Sequence, residues 1–521
     1  MAGAQSADPN QGKRQGLTAA TLHGLKWSYT STFVNAILQI GVTAVLARLL
    51  TPSAFGVVAM ASVFLRFGQC FAQMGAGQAV VQRAELTTRD VHSAFTSSLI
   101  IGAVFGGLFA ALAPLAALLF PDTRGVVTVT RVLALTFVLG GPMAVTQALL
   151  RRRFAFRAIA LTEIVSFVLG YALVGLLLAV LGFGAWSLVA ASLVQSALAA
   201  VAYLVLCRKD IGFGLAGDSL RSIYSFGGRV SLIGFGEFIG SNLDTLWVGH
   251  FLGVRVTGLY SRATNLANLP LYYLTTSLSR VLMPAYSRIQ NERARLKAVY
   301  VSTITVAAAL AMPVSWGAAA AAHEVVGTLL GRQWGGAVPV LGVLALAVPF
   351  SLLTHFGAIL CEATATLNTK ITLTLGRIVC LTALLSTMTR YGVVGIAASL
   401  AISELATHLA YQIVMCKLLA LRARELLGAY AVGVAAGVMM ALALFGIHAG
   451  LDAIAWPTWL VLLVQAVLGG ALLLVAVTKL GGGRVWREIR RRLADAGYGR
   501  DYEGPGAWLM RRAGSVEGVD Y

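Results

Sequence analysis

Long apolar runs, separated by short polar and basic connections, fill most of the chain. A helix that crosses a bilayer needs about 20 predominantly apolar residues. About fourteen runs meet that length: 27–50, 55–82, 93–120, 126–150, 158–181, 186–206, 226–252, 257–287, 298–322, 337–361, 371–389, 392–417, 427–448 and 456–478. The connections are too short to hold a soluble domain. The pattern predicts an all-α, polytopic membrane protein with about 14 transmembrane helices.

Composition agrees with the pattern. Hydrophobic residues make up 58% of the chain and charged residues 12%, against about 25% charged in soluble domains. A net charge of +19 on a soluble protein would point to nucleic acid. Here the basic residues sit between apolar runs, and no nucleic-acid partner is expected. Residues 1–24 read as a flexible tail with Lys13 and Arg14. The first run, 27–50, is longer than the 7–15 apolar residues of a signal peptide and reads as an uncleaved helix. The tail over 479–521 is basic, with Arg487, Arg490, Arg491 and Arg492.

Charge placement sets the orientation. Of the 40 lysines and arginines, Arg48, Arg124, Arg255, Arg332 and Arg390 fall in segments predicted outside, and Arg66, Arg131, Arg229, Arg262, Arg280 and Arg377 fall within spans. All others lie in segments on the side of the N-terminus. Cytoplasmic loops carry the excess of lysine and arginine, so both termini are expected in the cytoplasm. The sharpest basic knot is Arg151-Arg152-Arg153. It reads as an orientation anchor at the headgroups or as a docking site for lipid phosphate.

Metal, cofactor and nucleotide chemistry find no motif. The five cysteines form no CxxC and read as small buried thiols. The seven histidines are scattered, and no GxxxxGK[ST] loop is present. The expectation is no catalytic residue, no metal and no cofactor.

One stretch, 46–83, is unusually informative: LARLLTPSAFGVVA, then GAGQAVVQR at its end. Thr51 can cap the following helix, and Pro52 suits its first turn, where no backbone N–H is needed. Ser62, Arg66, Gln69, Gln73 and Gly77 share one face at helical spacing. The organisation returns about 200 residues on, with Phe55-Gly56-Val57-Val58 aligning on Thr257-Gly258-Leu259-Tyr260. Repeated halves are a common build for secondary transporters, with the substrate site between them.

This stretch resembles the polysaccharide transporter branch of the multidrug/oligosaccharidyl-lipid/polysaccharide exporter superfamily, the O-antigen- and colanic-acid-type flippases of bacterial envelopes. The resemblance implies two pseudo-symmetric six-helix lobes around a central cavity. They would be 25–206 and 226–418, joined by a cytoplasmic linker at 207–225. Two extra C-terminal helices, 427–478, lie outside the repeat. In the related peptidoglycan-precursor flippases such a pair makes a groove for the lipid tail. The implied function is movement of an undecaprenyl-pyrophosphate-linked oligosaccharide across the bacterial inner membrane by alternating access, without bond making or breaking. Membrane lipids and a polysaccharide polymerase machinery are the implied partners.

Each arginine near mid-membrane costs roughly 2.5–3.5 kcal/mol on insertion scales. Arg66, Arg262, Arg280 and Arg377 are therefore expected either in ion pairs, with Glu163, Glu237, Asp244, Glu362 and Glu404 as counter-charges, or in a cationic cavity. In the second case their planar forks would bind pyrophosphate. Asn35, Gln39, Gln69, Gln73, Asn265, Asn268, Tyr272 and Tyr273 are candidate sugar contacts, or else polar glue between helices. Glu237 and Asp244 are candidate coupling groups. A multidrug-type cation antiporter of the same superfamily is the first alternative, and it predicts an acidic cavity. A membrane polymerase or ligase is the second. Such enzymes present a large external loop, and the longest outer connection here is around 323–337.

Overall fold

The structure, a computed structural model, describes residues 33–72, 77, 80–81, 86–120, 124–452 and 456–479. The segments 1–24 and 480–521, expected as tails, lie outside these described residues, and so does Gln73. The described chain is built of helices: α1 over Phe33–Leu49, α2 Pro52–Ala72, α3 Thr88–Leu112, α4 Leu115–Leu119, α5 Arg124–Leu133 and α6 Leu135–Arg152. There follow α7 Phe156–Val180, α8 Ala185–Leu206, α9 Gly217–Arg288, α10 Arg293–Ala320 and α11 Ala322–Leu329. The last are α12 Val338–Ala363, α13 Leu367–Met388, α14 Gly392–Leu419, α15 Ala423–Asp452 and α16 Thr458–Lys479.

The all-α, polytopic reading holds. Among the described residues, 9 helical stretches are long and apolar enough to cross a membrane. One of them, Leu367–Leu419, carries two of the predicted spans in its 53 residues. A 3₁₀ turn at Thr389–Tyr391 separates these two, and Gly392 follows it at φ 69. Three local differences stand out, the third with a visible cause. The run 126–150 is divided at Ala134 into α5 and α6. The run 158–181 is continuous but widens into a π-helical stretch at Val168–Gly175. The outer connection around 323–337 is α11 followed by a 3₁₀ turn, Arg332–Ala337. It orders because Trp334 is fully buried and Gln333 and Trp334 donate hydrogen bonds to the end of α1.

The break at residues 51–52 forms as its chemistry requires. The Thr51 hydroxyl accepts from Ala54 N at 3.4 Å, and Pro52 opens α2, where its missing N–H is no loss. A full capping box, which the sequence reading did not single out, starts α3. Asp90 N donates to Thr87 Oγ1 at 3.2 Å, and Thr87 N donates to Asp90 Oδ2 at 3.1 Å.

The chain forms two compact units that do not follow it as contiguous halves. One runs up to Ser277 and takes in Ala322–Ala347 and Leu367–Thr407; the other comprises Leu278–Ala321, Val348–Thr366 and the chain from His408. Within the first unit, Val91, Phe95, Val145, Leu149, Ile159 and Tyr203 make one core. Met60, Leu65, Phe109, Phe120, Val129 and Phe137 make another. Within the second, α10 packs along α15, and the buried His408 bridges helices: its Nδ1 meets Thr354 Oγ1 at 3.2 Å and its Nε2 meets Tyr430 OH at 2.9 Å. Thr354 already donates to Phe350 O. The imidazole therefore donates at Nδ1 and accepts from Tyr430, a satisfied neutral histidine.

Candidate functional site

The site grows from the kink in α9. Asp244 and Tyr260 are 16 residues apart, which along a straight helix would be about 24 Å. Gly253, at φ 80 and ψ −179, turns the helix back on itself. Few residues besides glycine enter that backbone region. The turn lets the Tyr260 hydroxyl donate to Asp244 Oδ2 at 2.5 Å, with Asp244 4% exposed.

Arg377 of α13 and Glu404 of α14 face each other across the hairpin of these two helices. Arg377 Nη2 lies 2.5 Å from Glu404 Oε1, and the side chains are 25% and 10% exposed. Arg377 is also an electrostatic neighbour of Asp244. One guanidinium thus sits among two buried carboxylates.

Arg262 has a different setting. Its guanidinium carbon lies 4.8 Å from the centroid of the Phe55 ring, a cation–π contact. The Tyr171 phenol, in the π-helical stretch of α7, is its electrostatic neighbour. Among the described residues no carboxylate pairs with Arg262, and its Nε is buried without a hydrogen-bond partner. Such a group is costly to keep unless an anion completes it.

The α2–α9 crossing fixes this geometry. A Cβ on Gly56 would collide with the Val254 carbonyl oxygen, and a Cβ on Gly258 would collide with the Pro52 carbonyl oxygen. Each of those Cβ positions is 3.1 Å from the other glycine's amide nitrogen. The contact is reciprocal, with residue 56 on 254 and residue 258 on 52, as in a local two-fold axis. These are the two glycines that the internal alignment of the sequence superposes.

The other expected residues are distributed as follows. Arg66 is exposed on α2, and Gln69, one turn on, is half-buried. Asn35 is half-buried and Gln39 exposed on α1, while Asn265 and Asn268 are exposed on α9. The side chains of Glu237, Tyr272, Tyr273 and Arg280 lie outside the described residues. In the basic knot, Arg151 Nη2 donates to Gln147 Oε1 at 3.0 Å, and Arg152 Nη1 donates to Val80 O at 3.3 Å. Arg153 pairs with Asp210, which raises the guanidinium's pKa above its ordinary value. The predicted counter-charge Glu163 accepts from Gln147 Nε2 at 3.3 Å.

Sequence reasoning passed over Phe55 as a partner, Tyr260, Tyr171 and Trp334. Phe55 was visible within the FG motif. The others carry no signal in a chain this rich in aromatic and apolar positions.

The model of the family described as polysaccharide biosynthesis protein matches residues 45–339, more than half of the chain. The chain is 32% identical to the succinoglycan biosynthesis transport protein ExoT of Rhizobium meliloti (strain 1021), over 62% of this chain and 65% of that protein. The matched region thus spans just under two thirds of that relative's length. It is 24% identical to the lipopolysaccharide biosynthesis protein WzxC of Escherichia coli (strain K12), over 63% of this chain and 67% of that protein. In fold it is similar to the lipid II flippase MurJ in an inward closed conformation, with a TM-score of 0.69 and 12% identity over 90% of this chain and 100% of that one. It is also similar to a multidrug resistance MATE family transporter in an inward-facing conformation, with a TM-score of 0.56 and 18% identity over 74% of this chain and 94% of that one. These two likenesses concern the fold.

Proposed function

The chain is a multi-pass membrane protein of the polysaccharide biosynthesis protein family, and we propose that it is a flippase for a lipid-linked oligosaccharide. The substrate class is an undecaprenyl-pyrophosphate-linked repeat unit, carried from the cytoplasmic to the periplasmic leaflet of the bacterial inner membrane by alternating access. Both termini face the cytoplasm in this reading, and the lobes are 25–206 and 226–418. A succinoglycan biosynthesis transport protein and a lipopolysaccharide biosynthesis protein among its relatives support it. The protein supplies a polar path for the headgroup while the tail stays in lipid, and no covalent step is needed.

The observation that carries the reading is Arg262, a guanidinium within the membrane-spanning body with no carboxylate of its own among the described residues. A diphosphate completes it through charge-assisted, bidentate hydrogen bonds. Arg66, Arg280 and Arg377 are further pyrophosphate contacts in this proposal, with Arg377 also bound to Glu404. Asn35, Gln39, Gln69, Gln73, Asn265, Asn268, Tyr272 and Tyr273 serve the sugar. Asp244, in excess over the one guanidinium beside it, is the coupling group with Glu237. Arg151, Arg152 and Arg153 gather lipid phosphate at the cytoplasmic surface, and a polysaccharide polymerase receives the product.

The test is translocation of a fluorescent undecaprenyl-pyrophosphate oligosaccharide in proteoliposomes. Losing hydrogen bonds to a charged group costs about 1.5–3 kcal/mol, so Arg262→Ala should slow translocation about 10- to 100-fold at equal protein content. Arg262→Lys should recover only part, since it keeps charge but not the fork. Unchanged translocation in Arg262→Ala would reject the anion site. Efflux of organic cations without lipid translocation would favour the antiporter, and polymer formation would favour an enzyme.

A further inference from the structure

The end of α1 is held by a set of contacts that the transport reading leaves unused. Ala47 O accepts from Gln333 Nε2 at 2.6 Å and from Trp334 Nε1 at 2.8 Å. Leu50 O accepts from Gln333 Nε2 at 3.1 Å, and Arg48 Nη2 donates to Thr328 O at 2.6 Å. The last carbonyls of a helix have no partner within it and carry partial negative charge. Here the 3₁₀ turn Arg332–Ala337 supplies the donors, so α1 and that turn are tied by directed bonds rather than by packing alone. The fully buried Trp334 then meets Phe55 edge-on, with ring centroids 5.3 Å apart and an interplanar angle of 73°. Phe55 in turn carries Arg262 on its face. The chain of contact runs without a gap from the α1 carbonyls, through Trp334 and Phe55, to the guanidinium.

We infer that Trp334 and Phe55 form a latch that ties closure at the end of α1 to the occupancy of Arg262, and that a phosphate group bound by Arg262 releases it. The inference rests on the reading of Arg262 as a phosphate ligand. A ligand shifts a conformational equilibrium only if it binds the two states unequally. In the latched state the guanidinium is committed to the Phe55 ring, with Nε unpaired. A diphosphate offers that fork stronger, directed partners than a ring face does. Drawing the guanidinium toward the anion removes the support on one face of Phe55, and with it the edge contact that seats Trp334. In the proposed lobes, α1 and α2 belong to the first, while Arg262 and the 3₁₀ turn belong to the second. In the proposed orientation this end faces the periplasm. Parting of the Gln333 and Trp334 bonds is therefore a condition for opening outward, and the headgroup itself sets that condition.

The test uses spin labels at Leu49→Cys and Gly335→Cys, both exposed positions, in the full chain with its native cysteines replaced, reconstituted in nanodiscs. The probe is undecaprenyl pyrophosphate, with undecaprenyl phosphate and inorganic pyrophosphate as separate arms to tell lipid from free phosphate. The expected result is a short label distance without probe and a second, longer population with undecaprenyl pyrophosphate. Phe55→Leu should show that longer population without probe and bind the probe several-fold more tightly, because Arg262 is no longer engaged. Trp334→Phe, which keeps an aromatic ring but loses the bond to Ala47 O, should also show it and, because the open state is the one the probe favours, should bind the probe more tightly than the parent. Absence of probe binding to the parent overturns the phosphate reading and the trigger with it. Binding that is lost in Arg262→Ala but moves no label distance, in the parent or in Phe55→Leu, overturns the latch alone.

Discussion

Two half-buried arginines, each within an apolar run, have different neighbours, and that contrast sets what each can do. Arg377 has Glu404 at 2.5 Å, while Arg262 has an aromatic ring and, among the described residues, no carboxylate; the Nε of each is buried without a hydrogen-bond partner. Removing one member of a buried ion pair costs about 3–5 kcal/mol, because the other charge stays behind. Arg377→Met should thus lower stability in detergent by about 3 kcal/mol, the low end of that range because Arg377 is a quarter exposed, with a matching fall in the unfolding midpoint. The double variant Arg377→Met with Glu404→Met should recover most of that loss. Arg262→Met strands no carboxylate and should leave the midpoint nearly unchanged or raise it, while translocation falls. A thermal unfolding series over these variants checks the contrast, and equal losses at both positions would contradict it. Sequence alone marked both arginines as charges in apolar runs. It could not assign them, because Glu404 meets Arg377 only once α13 and α14 fold into a hairpin, and because Phe55 is one apolar residue among many.

At the scale of elements, the glycines carry the argument. The alignment of Gly56 on Gly258 was visible as a weak repeat, and the structure puts these two backbones in reciprocal contact. Gly253 was not singled out, although it makes α9 double back and so brings Asp244 to Tyr260. A positive φ leaves no trace in hydropathy, which reads only that a break separates 226–252 from 257–287. Gly253→Ala should cost about 1–3 kcal/mol, the strain of a backbone region that excludes Cβ. Gly258→Ala should cost a similar 1–3 kcal/mol through overpacking, as its methyl would displace the Pro52 carbonyl. Gly335→Ala, in open space at the same end, serves as the neutral control. Urea or thermal midpoints of the three variants measure this. A Gly258→Ala chain as stable as the control would mean that the α2–α9 crossing is loose.

For the whole molecule, the apolar runs were legible because a span needs only length and hydropathy, and the polytopic α-fold followed. The criterion falters where polar residues accumulate. Among the described residues, neither α2 with Arg66 nor α9 with Asp244 and Arg262 is among the stretches that pass it, yet these helices supply the arginine site. In the proposed flippase, polar residues lie where the headgroup passes, so the least membrane-like helices are the most informative. The charge of the proposed diphosphate cargo then makes a thermodynamic demand. Moving one elementary charge across 100 mV is worth about 2.3 kcal/mol, so a diphosphate bearing about two negative charges gains about 4.6 kcal/mol on leaving an inside-negative compartment. The arginines are fixed to the protein and do not cross with it. If Asp244 returns a proton inward, the potential acts on that charge in the same direction. Translocation into a valinomycin-clamped potassium gradient, negative on the donor side, should therefore run several-fold faster than at zero potential and should slow when the sign is reversed. Asp244→Asn should leave the response to potential while abolishing any response to a pH gradient. A rate indifferent to both the size and the sign of the potential would mean that the diphosphate crosses with its charge neutralised. The fixed guanidiniums would then not be what makes the path passable.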